Sequence, residues 1–269
     1  MNKYVLKYEL QPLDELDKYA LLACQKYNYG NEATWFNAFR GGWHGCLARI
    51  QGLVIHYSEI HSWRPKAWSP TETEYHLASI FFNMDSAIEC FTFSLNAFGY
   101  GVDPDSFIDV TEEKELKKIK PQNIIGKSEN DKSTCVSGYE KIFPSIQNHW
   151  NTNRALIEII TDQHDVSKHR ETIFMGGKMR NDPPVGFYES LGMGDDEIAK
   201  SMIKPMAEII LRPDPKTPHK KQESVSQEDK ITLEKVVNEF TSFINITVKQ
   251  ALIDAKSNII LKNNDFIKA

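Results

Sequence analysis

Residues 69–99 read SPTETEYHLASIFFNMDSAIECFTFSLNAFG, and this stretch decides the fold class. Ser69-Pro70-Thr71-Glu72 joins a capping serine, a proline at the first helical position and a glutamate three residues after the serine, which is the signature of a helix start. Leu77, Ile80, Phe81, Met84, Ile88, Phe91, Leu95 and Phe98 follow at three- and four-residue steps, so about seven turns can bury one broad stripe. The spacing predicts a central core helix that ends before Gly99 and Gly101.

Working outward, residues 14–27 keep Leu16, Tyr19, Ala20 and Ala23 on one face and meet a natural stop at Gly30. Residues 32–61 are helical in pattern. Gly41, Gly42 and Gly45 each cost about 1 kcal/mol there relative to alanine, which predicts either a break or a neighbour that approaches closely. Downstream, 102–137 reads as a polar, exposed connection with a short helix at 111–120. A further helical region covers 138–161, interrupted near Pro144, with Trp150, Leu156, Ile159 and Ile160 on its buried side. His164-Asp165 reads as a junction, Asp165 capping a short turn through Arg170.

Residues 174–184, with Gly176, Gly177, Pro183 and Pro184, read as loop, and 207–211 as a short strand or a helix end. The polar, proline-containing segment 213–230 reads as a mobile loop. The last helix runs from about 226 to 255 on Leu233, Val237, Phe240, Ile244, Val248 and Leu252. The expected fold is therefore mainly α: one domain over 1–269, a bundle of long helices with loop-rich insertions and at most a short strand or hairpin near 207–212.

A hydrophobic fraction of 41% and a charged fraction of 26% are those of a packed globular protein and exclude wholesale disorder. The formal net charge of -5 argues against a general nucleic-acid coat, which needs clustered Lys and Arg to displace counterions. No apolar run reaches about eighteen residues, and Glu9 and Asp14 follow the start instead of a signal-peptide core, so a cytoplasmic chain without a membrane span is expected. Cys24, Cys46, Cys90 and Cys135 are too dispersed for a C-x-x-C zinc pair and read as free thiols in a reducing compartment.

Four constellations carry candidate chemistry. His164, Asp165, His169 and Arg170 could bind phosphate or move a proton, or could serve a helix terminus as caps and dipole partners. His164 and His169 are five apart, which a helix does not bring onto one face, so no metal site is assigned to them. Arg49 and His56 are seven apart, which on a helix places both on one face about 10 Å from each other. Composition alone supplies about 0.6 arginine–histidine pairs of such spacing by chance, and Arg212 with His219 is another. Gly176-Gly177-Lys178-Met179-Arg180 offers backbone amides beside Lys178 and Arg180, the ingredients of an anion nest, without a phosphate-loop pattern. Trp35, Trp43, Trp63 and Trp68 cluster in one third of the chain; exposed, they suit stacking or a protein hot spot, and buried, they are core. No cofactor motif is present.

The layout of long helices, with Arg49 and His56 on one and Asp165-Val166-Ser167-Lys168-His169-Arg170 ending a later one, resembles the HEPN superfamily of small helical bundles over about 32–169. Members that cleave RNA carry an arginine followed after four to six residues by a histidine and build the site across a dimer; Ile50 stands here where a polar residue is usual. The resemblance implies a metal-independent ribonuclease in which His56 moves the proton of a ribose hydroxyl and Arg49 stabilises charge at phosphorus, with RNA as partner and a toxin or defence role compatible. The leading expectation is different. Every conspicuous stripe is explained by packing, which points to a non-catalytic helical module that binds a protein partner or its own copy.

Overall fold

The computed structural model describes residues 6–9, 11–27, 33–61, 70–128, 133–169, 172–179, 206–211 and 231–259. The chain is mainly α-helical, as the periodicity predicts. Among the described residues its helices are α1 (Gln11–Tyr27), α2 (Thr34–His61), α3 (Pro70–Val102), α4 (Glu113–Leu116), α5 (Gln122–Ile125), α6 (Ser137–Ile142), α7 (Pro144–Thr152), α8 (Arg154–His169) and α9 (Leu233–Asn258), with a 3-10 turn at Pro104–Ser106. Strands β1 (Phe174–Met179), β2 (Met206–Leu211) and β3 (Ile231–Thr232) form one antiparallel sheet in that order. Residues 1–6, 51–85 and 158–240 make one compact unit, and 7–50, 86–157 and 241–269 another; α2, α3, α8 and α9 contribute to both.

In the first unit the buried stripes of Leu53 and Tyr57, Leu77 and Phe81, Ile160, and Leu233 and Val237 make the core. The sheet is tied to the helices by carboxylates. β3 is two residues long and pairs only with Ile210 and Leu211, so the amide of Ile209 needs another acceptor; Glu234, in the first turn of α9, takes it at 3.2–3.3 Å. Glu74 of α3 accepts the amide of Ile173 at 3.0 Å. The loop expected at 174–180 is thus largely strand: Gly176 and Gly177 lie opposite Ile210 and Ile209 in the β1–β2 register. Two glycines inside a strand hide it from a propensity reading, and tertiary pairing overrides them.

The second unit is built on aromatics. Phe39 meets Phe98 edge-on at 5.5 Å, Phe98 reaches Phe143 at 6.2 Å, and Phe107 meets Tyr139 at 5.2 Å. The connection expected to be exposed is partly core, since Phe107, Val110, Ile124 and Ile125 are buried. Its helix is a single turn, Glu113–Leu116, not 111–120. α3 also passes the glycines at which an end was expected. A Cβ at Gly99 or Gly101 would stand 2.3 Å from the Phe107 ring and 2.2 Å from the Trp35 ring, so these glycines admit aromatic rings where they were read as a stop. The polar end of the connection is sealed by buried Arg154, which donates to the carbonyls of Ile125 and Gly126 and, at 3.0 Å, to Asn151. Gly126 supplies the left-handed φ of 76° that closes α5. Asp254 of α9 accepts the first amides of α7, Ser145 at 2.8 Å and Ile146 at 3.1 Å, and so caps a helix that starts at a proline 110 residues earlier.

α2 is continuous through its glycines. Gly42 lies against α3, where a Cβ would meet the Cys90 carbonyl at 2.8 Å and the Ser94 amide at 2.9 Å, whereas a Cβ at Gly41 meets nothing within 4 Å. Two adjacent glycines therefore carry opposite predictions. Gly41→Ala should stabilise by about 1 kcal/mol through helix propensity, and Gly42→Ala should destabilise by about 1–3 kcal/mol through overpacking. Urea unfolding of the two variants measures the contrast, and stabilisation by both would contradict the close approach of α3.

Candidate functional site

In the first unit α2 and α3 run antiparallel in contact. Gly52 leaves room for Asn83, whose Oδ1 would stand 2.5 Å from any Cβ there, and this proximity brings His56 of α2 onto His76 of α3. Their Nδ1 atoms are 3.1 Å apart, with ring centroids at 5.4 Å and a tilt of 55°. Both rings are half-buried. Tyr75 stands edge-on to each, at 5.9 Å from His56 and 5.3 Å from His76. Burial pushes the His56 imidazole below its ordinary pKa, and His76 beside it adds to the shift.

The opposite flank of α3 holds a second polar group. Asp85 is buried; its Oδ2 lies 2.8 Å from His164 Nδ1, and its Oδ1 accepts the hydroxyl of Thr161 at 2.8 Å. A carboxylate can only accept, so Nδ1 of His164 carries the hydrogen of this bond. Phe82 packs its ring edge-on to His164 at 5.5 Å. An oriented imidazole of this kind has the geometry of a base held by its partner, although among the described residues no nucleophile is placed against it.

The expected residues fall as follows. His164 and Asp165 lie inside α8, which runs on to His169 without the expected junction, so Asp165 caps no following turn. His169 ends α8 with its side chain outside the described residues, and Arg170 lies outside them altogether. Arg49 belongs to the second unit, where its charge opposes the upward shift that burial gives the Cys90 thiol; His56 belongs to the first, beside His76. Lys178 is in β1 with its side chain outside the described residues, as are Arg180, Trp63, Trp68 and the expected loop at 213–230. Gly176 and Gly177 stand in the β1–β2 ladder, which removes the free loop backbone that an anion nest requires. Trp35 and Trp43 are 4% and 5% exposed and belong to the core, not to a stacking surface. Cys24, Cys46, Cys90 and Cys135 form no disulfide, the first two buried and the last two half-buried.

His76, Asp85, Tyr75 and Phe82 were not singled out in the sequence. For Asp85 a signal existed: it stands four residues after Phe81 and three before Ile88, on the apolar stripe itself, where a carboxylate must find a buried partner. His76 had none, because its partner is twenty residues away on another helix.

Comparison with protein-family models, with curated proteins and with solved structures found no match to this chain. Among the described residues no helix is long and apolar enough to cross a membrane.

His61, at the end of α2, provides a pH test of this unit. Its Nε2 lies 3.4 Å from Glu234, yet burial outweighs that carboxylate and pushes the imidazole down to about 4. The unfolded chain takes up a proton near pH 6.5, while the folded chain resists until about pH 4, so stability is full above 6.5 and falls as pH drops through that window. The loss should reach about 3 kcal/mol, and His61→Gln should remove most of it in urea titrations at pH 7 and pH 4.5. Equal pH slopes for the two proteins would place the titration elsewhere.

Proposed function

We propose that this chain is a non-catalytic helical interaction module that associates with a second copy of itself through the outer face of α3 in the first unit. The observation that carries this reading is the exposure of two aromatic side chains on one helix: Tyr75 is 62% and Phe82 39% exposed. Seven residues apart, they share one face about 10 Å from each other. Ala78 and Ser79 between them are uncharged. Glu74 and Asp85 turn to inward partners, the Ile173 amide and His164 with Thr161, whereas the exposed Glu72 lies one turn before Tyr75. A two-fold axis brings the same face of each copy together, and aromatic anchors are the side chains that dominate such interfaces. Ile55 of α2, 51% exposed, adds apolar surface in the same unit.

Sedimentation velocity over a concentration series tests this. The wild type should self-associate, and the double variant Tyr75→Ala, Phe82→Ala should do so about thirtyfold more weakly, the equivalent of about 2 kcal/mol. Both truncations also remove edge-on contacts with His56, His76 and His164, so the urea midpoint of the variant is measured beside its association to show that it remains folded. A wild-type chain that stays monomeric throughout would overturn the reading.

A second reading, the metal-independent ribonuclease that the HEPN resemblance implies, is favoured by one observation: His56 is half-buried and held by another imidazole, a position from which it can exchange protons. The assay is cleavage of end-labelled single-stranded RNA in EDTA. Cleavage by the wild type that is lost in His56→Ala would put this reading first, and no cleavage at high protein concentration would discard it.

A further inference from the structure

We infer that His56 and His76 form a two-histidine site for a divalent transition metal ion of the zinc, nickel or copper class. Two imidazole nitrogens can stand 3.1 Å apart in only two neutral arrangements: one donates its hydrogen to the other, or both direct lone pairs at one cation. Metal–imidazole bonds of about 2.0–2.1 Å, meeting at about 95–110°, set the two nitrogens about 3.0–3.4 Å apart. The observed separation lies within that range, and turning the two rings so that both lone pairs meet at one point completes the chelate.

Coordination balances without an added reactant. In the metal-free pair one ring carries its hydrogen on Nδ1; on binding, that hydrogen passes through solvent to the same ring's Nε2, and both rings remain neutral ligands through Nδ1. Glu59, one turn along α2 from His56, places negative charge close enough to act on that imidazole. Imidazole nitrogen selects zinc, nickel and copper over magnesium and calcium, which require oxygen. Among the described residues His56 and His76 supply two ligands there, and water would fill the positions they leave. This is the arrangement of an open site, distinct from a closed structural one.

The site is independent of the self-association proposed above, and its test is separate. Titration of the full chain with Ni2+ by calorimetry should show one site, weakened at least about tenfold in His56→Gln and in His76→Gln and unchanged in His44→Ala, which removes an exposed histidine of the second unit. Ni2+ should also raise the melting temperature of the wild type but not of the double variant His56→Gln, His76→Gln, because the ion binds the folded pair. Binding that survives undiminished in the double variant would overturn the inference. If the variants do not fold, electron paramagnetic resonance of Cu2+ on the wild type decides the matter: two equatorial nitrogens at one equivalent support the site, and one or none refutes it.

Discussion

The close approach of α3 to α2 is the constraint from which most of the structure follows. In the second unit it rests on Gly42, over the Cys90 carbonyl, and on Gly45, where a Cβ would come within 3.0 Å of the Cys90 sulfur; in the first it rests on Gly52 over Asn83. Helices separated by ordinary side chains keep their axes about 8–10 Å apart. Missing Cβ atoms let them move nearer, and the gain in packing offsets the propensity cost of a glycine in a helix interior. The antiparallel contact of the two helices in the first unit also places His56 beside His76, their Nδ1 atoms 3.1 Å apart. A glycine that looks like a defect in the sequence is thus what lets two helices meet closely.

A second constraint shows in three charged groups buried among the described residues, each with acceptors or donors in place. Arg154 is held by two carbonyls and an amide oxygen, Asp254 by two backbone amides, and Asp85 by an imidazole and a hydroxyl. In each case one partner is distant in sequence. Glu234 is the instructive case, because the shortness of β3 creates the orphan amide that it accepts. Such ties are costly to break from one side only, which makes them determinants of which segment docks where.

What could be read from the sequence follows from range. The α3 stripe from Leu77 to Phe98 and the α9 stripe from Leu233 to Leu252 are local periodicities, and the structure buries Leu77, Ile80, Phe81, Met84, Ile88, Leu233, Val237 and Phe240 as expected. Gly99 and Gly101 were misread because a glycine that ends a helix and one that admits Phe107 or Trp35 look alike until the ring is in view. β1 was missed because a strand with two glycines depends on its β2 partner, which lies some thirty residues on. The candidate site was the least legible part. Neither His76 nor Asp85 belongs to a local motif, and both acquire meaning only from α2 and α8.

The histidines of the two units differ in a way that bears on function. His149, in the second unit, stacks on Phe243 at 5.2 Å and engages both ring nitrogens, one with the Phe243 carbonyl at 3.2 Å and the other with Asn153 at 3.3 Å. Its capacity is consumed by the fold, and its role is structural. The His56–His76 contact uses one nitrogen of each ring, on half-buried side chains, beside an exposed tyrosine. An imidazole that serves only packing gains nothing from standing at the edge of solvent, where its hydrogen bond competes with water. That exposure is what motivates the inferred ligand at this edge, which involves neither Arg49 nor the cluster at the end of α8. In the first unit, then, α3 buries Leu77 and Phe81 in the core and meets two imidazoles of other helices on opposite flanks, His56 of α2 at His76 and His164 of α8 at Asp85.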